Sequence, residues 1–130
     1  MGARSMNVDV FQTVAKLKPA RIWDGVLARA LHADRVTVGF VDIDPGVLVP
    51  EHRHDNEQVG FVQRGSVTMT IAGQARELGV GETYSIAGGL PHSAKAGAEG
   101  ASVVDVFAPV REDWKKVPTV EPFPGKWPGR

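Results

Sequence analysis

Cysteine is absent from the 130 residues, which excludes a disulfide framework and any thiolate metal site, so a bound metal must be held by histidine, carboxylate or amide groups. A reducing compartment suits such a chain, and a cytoplasmic location is expected. Net charge is absent too, because 15 Lys and Arg balance 15 Asp and Glu. No surplus of positive charge is left to draw a nucleic-acid backbone or an anionic membrane surface, and neither partner is expected. Long hydrophobic runs are also missing. Nothing approaches the roughly 20 apolar residues that span a bilayer, and the start of the chain lacks the apolar stretch of a secretory signal. No helix-turn-helix pattern occurs. Nucleotide binding is poorly served, since Gly79-x-Gly81 lacks a third glycine and a following helix, and there is no P-loop lysine.

Helix-length periodicity is scarce as well. What recurs instead, about every ten residues, is a short apolar run broken by Gly, Pro, Asn or Asp, the spacing of a sandwich or barrel. The expected strands are Ile22 to Ala30, Arg35 to Ile43, Leu48 to Arg53, Gln58 to Arg64, Ser66 to Ala72, Gln74 to Leu78, Thr83 to Ile86, His92 to Ala96 and Ala101 to Ala108. Asp44-Pro45-Gly46 and Arg64-Gly65 read as turns, and Ala72-Gly73-Gln74 as a tight hairpin, because glycine tolerates positive φ. Val67, Met69 and Ile71 alternate with Ser66, Thr68 and Thr70, as in a strand with one packed face. Many short antiparallel pieces suit a closed double-sheet barrel, which leaves few exposed edges.

One domain is expected over residues 1–130, with a leader at 1–10, a core at about 20–110 and a C-terminal arm at 111–130. Met1 to Ser5 precede a second methionine, Met6, and read as an added leader or an alternative start. A short helical turn is expected from Arg111 to Lys116, after which Pro118, Pro122, Pro124 and Pro128 forbid regular structure. Phe123 and Trp127 in that tail are expected either to pack on the barrel or on a partner subunit, or to be disordered.

The stretch Gly46 to Gly65 reads GVLVPEHRHDNEQVGFVQRG. Two histidines at i and i+2 on a strand, His52 and His54, project to one face and can chelate a metal; alone, such a pair could equally be polar surface or a satisfied core histidine. The wider spacing adds to this. Five residues separate Gly46 from His52, three separate His54 from Gln58, and six separate Gln58 from Gly65. This resembles the first motif of the cupin family: glycine, HxH, an acidic residue and glycine at that spacing. Gly81 to Ala96, GETYSIAGGLPHSAKA, is similar to the second cupin motif, with Gly81, Gly89 and His92 matching while Ala87 and Ala96 replace the usual proline and asparagine. The 15 residues between the motifs fit the short spacer of small microbial cupins. Together the motifs extend the resemblance from about Arg35 to Phe107.

The resemblance implies an all-β, double-stranded β-helix or jelly-roll barrel, commonly a homodimer, holding one divalent transition metal per chain. Carried onto this sequence, the ligands are His52, His54, Gln58 and His92, with Gln58 where glutamate is usual. Glu57 is next door, but strand alternation points it to the opposite face unless a bulge rotates the segment. Three imidazoles and an amide leave the ion its full charge, which favours Lewis-acid work over oxygen activation. Zn, Ni, Fe, Mn and Cu all suit such ligands. His32 belongs to neither motif and is expected to be structural or exposed.

Asp105 interrupts an apolar strand, which costs free energy unless the carboxylate is paired or functional. The plainer alternative is a rim carboxylate paired with Arg111 or Arg35. The Asp-x-Phe-x-x-x-Arg spacing of Asp105, Phe107 and Arg111 resembles that of KdgF-type cupins, which linearise 4,5-unsaturated monouronates and also use a glutamine metal ligand. That resemblance nominates Asp105, Phe107 and Arg111; in the mechanism expected from their chemistry, Asp105 moves a proton, Arg111 grips the substrate carboxylate through its fork, and Phe107 with Tyr84 shapes the pocket wall. A glutamine expected two positions beyond Gln58 is replaced by Gly60. The other functions open to the chain are a metal-dependent dioxygenase and a non-catalytic small-molecule-binding module.

Overall fold

The computed structural model describes residues 10–126. Among these residues, eight strands run in chain order: β1 (Ala20–Trp23), β2 (Val26–His32), β3 (Thr37–Ile43), β4 (Leu48–His52), β5 (Glu57–Ile71), β6 (Gln74–Leu78), β7 (Thr83–Ile86) and β8 (His92–Ala108). All pair antiparallel, in the order β1-β2-β3-β8-β5-β6, with β4 added to β8 and β7 to β5. The result is the expected jelly-roll barrel.

Its closure depends on two long strands. The first half of β5 pairs with β7 and the second half with β6. Likewise His92 to Lys95 of β8 pair with β4, and Ala101 to Phe107 with β3. Each long strand therefore pairs with different neighbours along its two halves, folding the one eight-stranded sheet into two facing layers, and bends where it passes between them. The sequence pattern predicts two shorter strands in place of each. In place of a turn, Arg64-Gly65 lies inside β5 at a pair of register shifts, with Gly65 at φ +72° and Gly100 of β8 at φ +79°. A Cβ on Gly65 would land on the Gly100 carbonyl oxygen, so the glycines let the bends nest without ending the strands. The opposite correction applies at the start: the expected strand Ile22 to Ala30 is two strands, divided by a turn at Asp24-Gly25 with Gly25 at φ +76°.

The hairpin between β5 and β6 turns on Ala72 and Gly73, both at positive φ, which matches the strand twist. Val67 and Met69 are buried while Thr68 and Thr70 are not, as their alternation requires. The core fills the space between the two layers, with Val62, Ile86 and Ala101 wholly enclosed. Ile86 stands directly opposite Gln58, so its packing also steadies the site. Ile86→Ala is expected to cost about 2–5 kcal/mol in denaturant unfolding, from lost burial plus the cavity left behind.

The expected helical turn is a single 3-10 turn, Trp114–Lys116. Beyond it the arm returns along β1, with a Thr119–Ala20 bridge and Val120 N–H donating to the Pro19 carbonyl. Phe123 packs: the guanidinium of the buried Arg29 lies 5.2 Å from its ring centre and donates to its carbonyl at 2.8 Å. Trp127 and the leader Met1 to Ser5 lie outside the described residues. Among the described residues, no helix is long and apolar enough to cross a membrane.

Candidate metal centre

Two strands and a loop bring three histidines together. His52 ends β4 and is the direct cross-strand partner of His92, the first residue of β8. His54 is not on the strand but two residues past His52, in the loop leading to β5. Ring centroids are 4.4 Å apart for His52 and His92 and 4.9 Å for His54 and His92. One nitrogen from each ring lies within 4.8 Å of the others.

The hydrogen bonds fix which nitrogens converge. Nδ1 of His52 lies 2.8 Å from the Pro50 carbonyl oxygen, Nδ1 of His92 2.9 Å from that of Leu90, and Nδ1 of His54 3.1 Å from that of Asn56. A carbonyl only accepts, so each Nδ1 carries the ring proton and each Nε2 keeps a lone pair. His92 Nε2 is buried with no protein partner. His54 Nε2 faces Gln58 Oε1 at 3.1 Å, acceptor to acceptor. Gln58 is buried, exposed Glu57 points away, and the Gln58 amide also donates a hydrogen bond that favours ionised Asp105. That donation turns the amide oxygen toward the histidines. Lone pairs facing one another without protons, that of His92 buried, fit a divalent cation, and burial holds His54 and His92 below the usual imidazole range, in the neutral form a metal needs.

A cavity of about 320 Å³ opens from this cluster into the barrel. Its polar lining is His52, His92, Gln58, Tyr84, Ser93, Asp105, Arg111 and Asp113, and the rest of its wall is aliphatic and aromatic. Asp105 is buried, and burial pushes its carboxyl up to about 6 against the opposing pull of hydrogen bonds from Tyr84 and Gln58 and of the Arg111 charge. The plainer ion pair does not form. Arg111 closes its fork on Asp113 instead, Nε to Oδ1 at 3.0 Å and Nη2 to Oδ2 at 2.8 Å, and Arg35 is exposed in the turn after β2. The Arg111 guanidinium lies 4.7 Å from the ring centres of both Phe107 and Trp114. Phe107, almost wholly buried, turns its ring edge-on to His54 at 5.8 Å.

His32 bonds Thr37 Oγ1 at 2.8 Å, and that hydroxyl accepts the Arg111 backbone N–H at 3.0 Å, so His32 braces the arm from outside the cluster. Sequence reasoning missed Trp23, whose ring lies 5.4 Å from that of His52, and the pair Asp113 and Trp114. Trp114 is seated because Gly39 of β3 has no side chain; a Cβ there would come within 2.9 Å of the indole.

A model of the cupin domain matches residues 39–107. The pectin degradation protein KdgF of Dickeya dadantii (strain 3937) is 28% identical over 93 residues, covering 70% of this chain and 84% of that protein. The HTH-type transcriptional regulator PuuR of Escherichia coli (strain K12) is 38% identical over 55 residues, 42% of this chain but only 30% of the regulator. The structure of KdgF from Halomonas sp. superposes with a TM-score of 0.75 at 23% identity, over 82% of this chain and 98% of that one, a likeness of fold.

Proposed function

The chain belongs to the cupin family, and from that premise we propose that it is a metal-dependent, non-redox enzyme that opens the ring of a 4,5-unsaturated monouronate. The observation that carries the reading is the position of Gln58, whose amide oxygen faces the histidines while its nitrogen side serves Asp105. The proposed metal set is His52, His54, Gln58 and His92, for one Zn, Ni, Fe or Mn ion. A divalent ion there supplies a Lewis acid for a substrate oxygen. Asp105 exchanges a proton with the substrate, since a buried carboxyl near neutrality can both take and return one. Phe107 and the aliphatic wall exclude water.

Arg111 binds the substrate carboxylate, and for this Asp113 must yield its place, because both compete for one fork. Asp113 is an exposed side chain and can swing into solvent. Asp113→Asn is therefore expected to lower KM for a carboxylated substrate by about tenfold, the effect of removing one charge-assisted competitor, with little change in kcat. Steady-state kinetics checks this; an unchanged KM removes Arg111 from carboxylate binding. The reading as a whole is tested by following loss of the unsaturated monouronate's ring form by NMR. The names of the Dickeya and Halomonas relatives support it. The likeness to part of PuuR favours a second reading, a small-molecule-binding module, which predicts saturable binding without turnover. A cytoplasmic homodimer belongs to the same proposal, supported by Val59 and Phe61 exposed together on β5, and sedimentation tests the dimer.

A further inference from the structure

In an antiparallel sheet, residues directly opposite each other on neighbouring strands share a face, and strands lie about 4.8 Å apart. Side chains on the two outer strands of three are thus separated by the side chain between them. In β7-β5-β8 the row is Tyr84, Gly60 and Asp105, with Gly60 the direct partner of both neighbours. A Cβ at position 60 would fall on the Asp105 carboxylate and come within 2.7 Å of Tyr84 Cζ and 2.6 Å of the Val104 carbonyl oxygen. No side chain, glutamine included, fits there while Tyr84 and Asp105 stand as they do. The phenol lies across the glycine, and its hydroxyl donates to Asp105 Oδ1 at 2.6 Å. Tyr84 and Asp105 are both buried.

We infer that Tyr84 is the positioning residue for Asp105 and that the missing side chain at Gly60 is what admits it. The inference rests on the ring-opening reading for its chemistry, but the contact itself does not. With Oδ1 held by the phenol and the Gln58 amide donating beside it, the carboxyl plane is set for the proton exchanged with substrate. The phenol keeps its proton throughout: burial, then the neighbouring Asp105, raise it well above the usual phenol range.

Tyr84 is the only tyrosine, so tyrosine labelled with carbon-13 at Cζ yields one resonance reporting this contact. In zinc-reconstituted protein, that resonance is expected to move upfield in Asp105→Asn and in Gly60→Ala, as the charge-assisted bond is neutralised or displaced. A resonance unmoved in the folded Asp105→Asn protein overturns the inference. In the kinetic arm, Tyr84→Phe is expected to lower kcat for the unsaturated uronate by about tenfold to a hundredfold, from loss of one hydrogen bond to a charged group. KM and metal content are expected to hold, and an unchanged kcat overturns the positioning role. A wild-type protein inactive on uronates overturns the ring-opening reading alone, and the resonance then decides whether Tyr84 holds Asp105.

Discussion

Asp105→Asn is expected to lower turnover of the unsaturated uronate by about a hundredfold to ten-thousandfold, the usual contribution of a general acid–base group, while the protein keeps its metal. The expectation follows from where the carboxyl sits. It is buried on β8 beside the cluster, at the wall of the cavity, and its two hydrogen-bond donors come from Tyr84 and from Gln58. Asparagine has nearly the same shape and can still accept from the phenol, so packing is preserved and only proton transfer is lost. Turnover with metal content read in parallel separates the chemistry from the binding. Activity that survives the change removes Asp105 from the reaction and leaves it a structural acid.

His92→Ala is expected to weaken metal binding by more than about a hundredfold, since removing even an outer partner of a ligand costs about 10–100-fold. His92 is the most enclosed of the three histidines, its Nδ1 proton is committed to the Leu90 carbonyl, and its Nε2 has no other partner in the protein. Alanine leaves His52 and His54 without the ring that stands opposite them. Glu57→Ala is the control: exposed and facing away, it is expected to leave metal affinity unchanged. Titration calorimetry on metal-stripped protein reads both, and equal losses in the two variants would place the ion elsewhere.

Much of this was legible in the sequence because the signals are local. The alternation through Val67 and Met69 requires a strand, and the same period of two separates Gln58 from Glu57 at the site. The histidine spacing was informative even though His54 proved to lie beyond the strand, since a chelating pair needs only proximity. The bends were not legible. Arg64-Gly65 carries the composition of a turn, and whether positive φ there ends a strand or bends it depends on Gly100, 35 positions away in the sequence and packed against it. The same holds for the pocket mouth. Trp114 reaches Phe107 only because the chain after β8 folds back onto Gly39 of β3, a contact that no local pattern announces.

The most direct test of the metal centre is an anomalous difference map from crystals of the protein supplied with zinc or nickel. The predicted result is one strong peak, bounded by Nε2 of His52, His54 and His92 and by Oε1 of Gln58, at about 2.0–2.2 Å from each. A site left empty at saturating metal, or a peak bound by Glu57 or by surface carboxylates instead, would contradict the account.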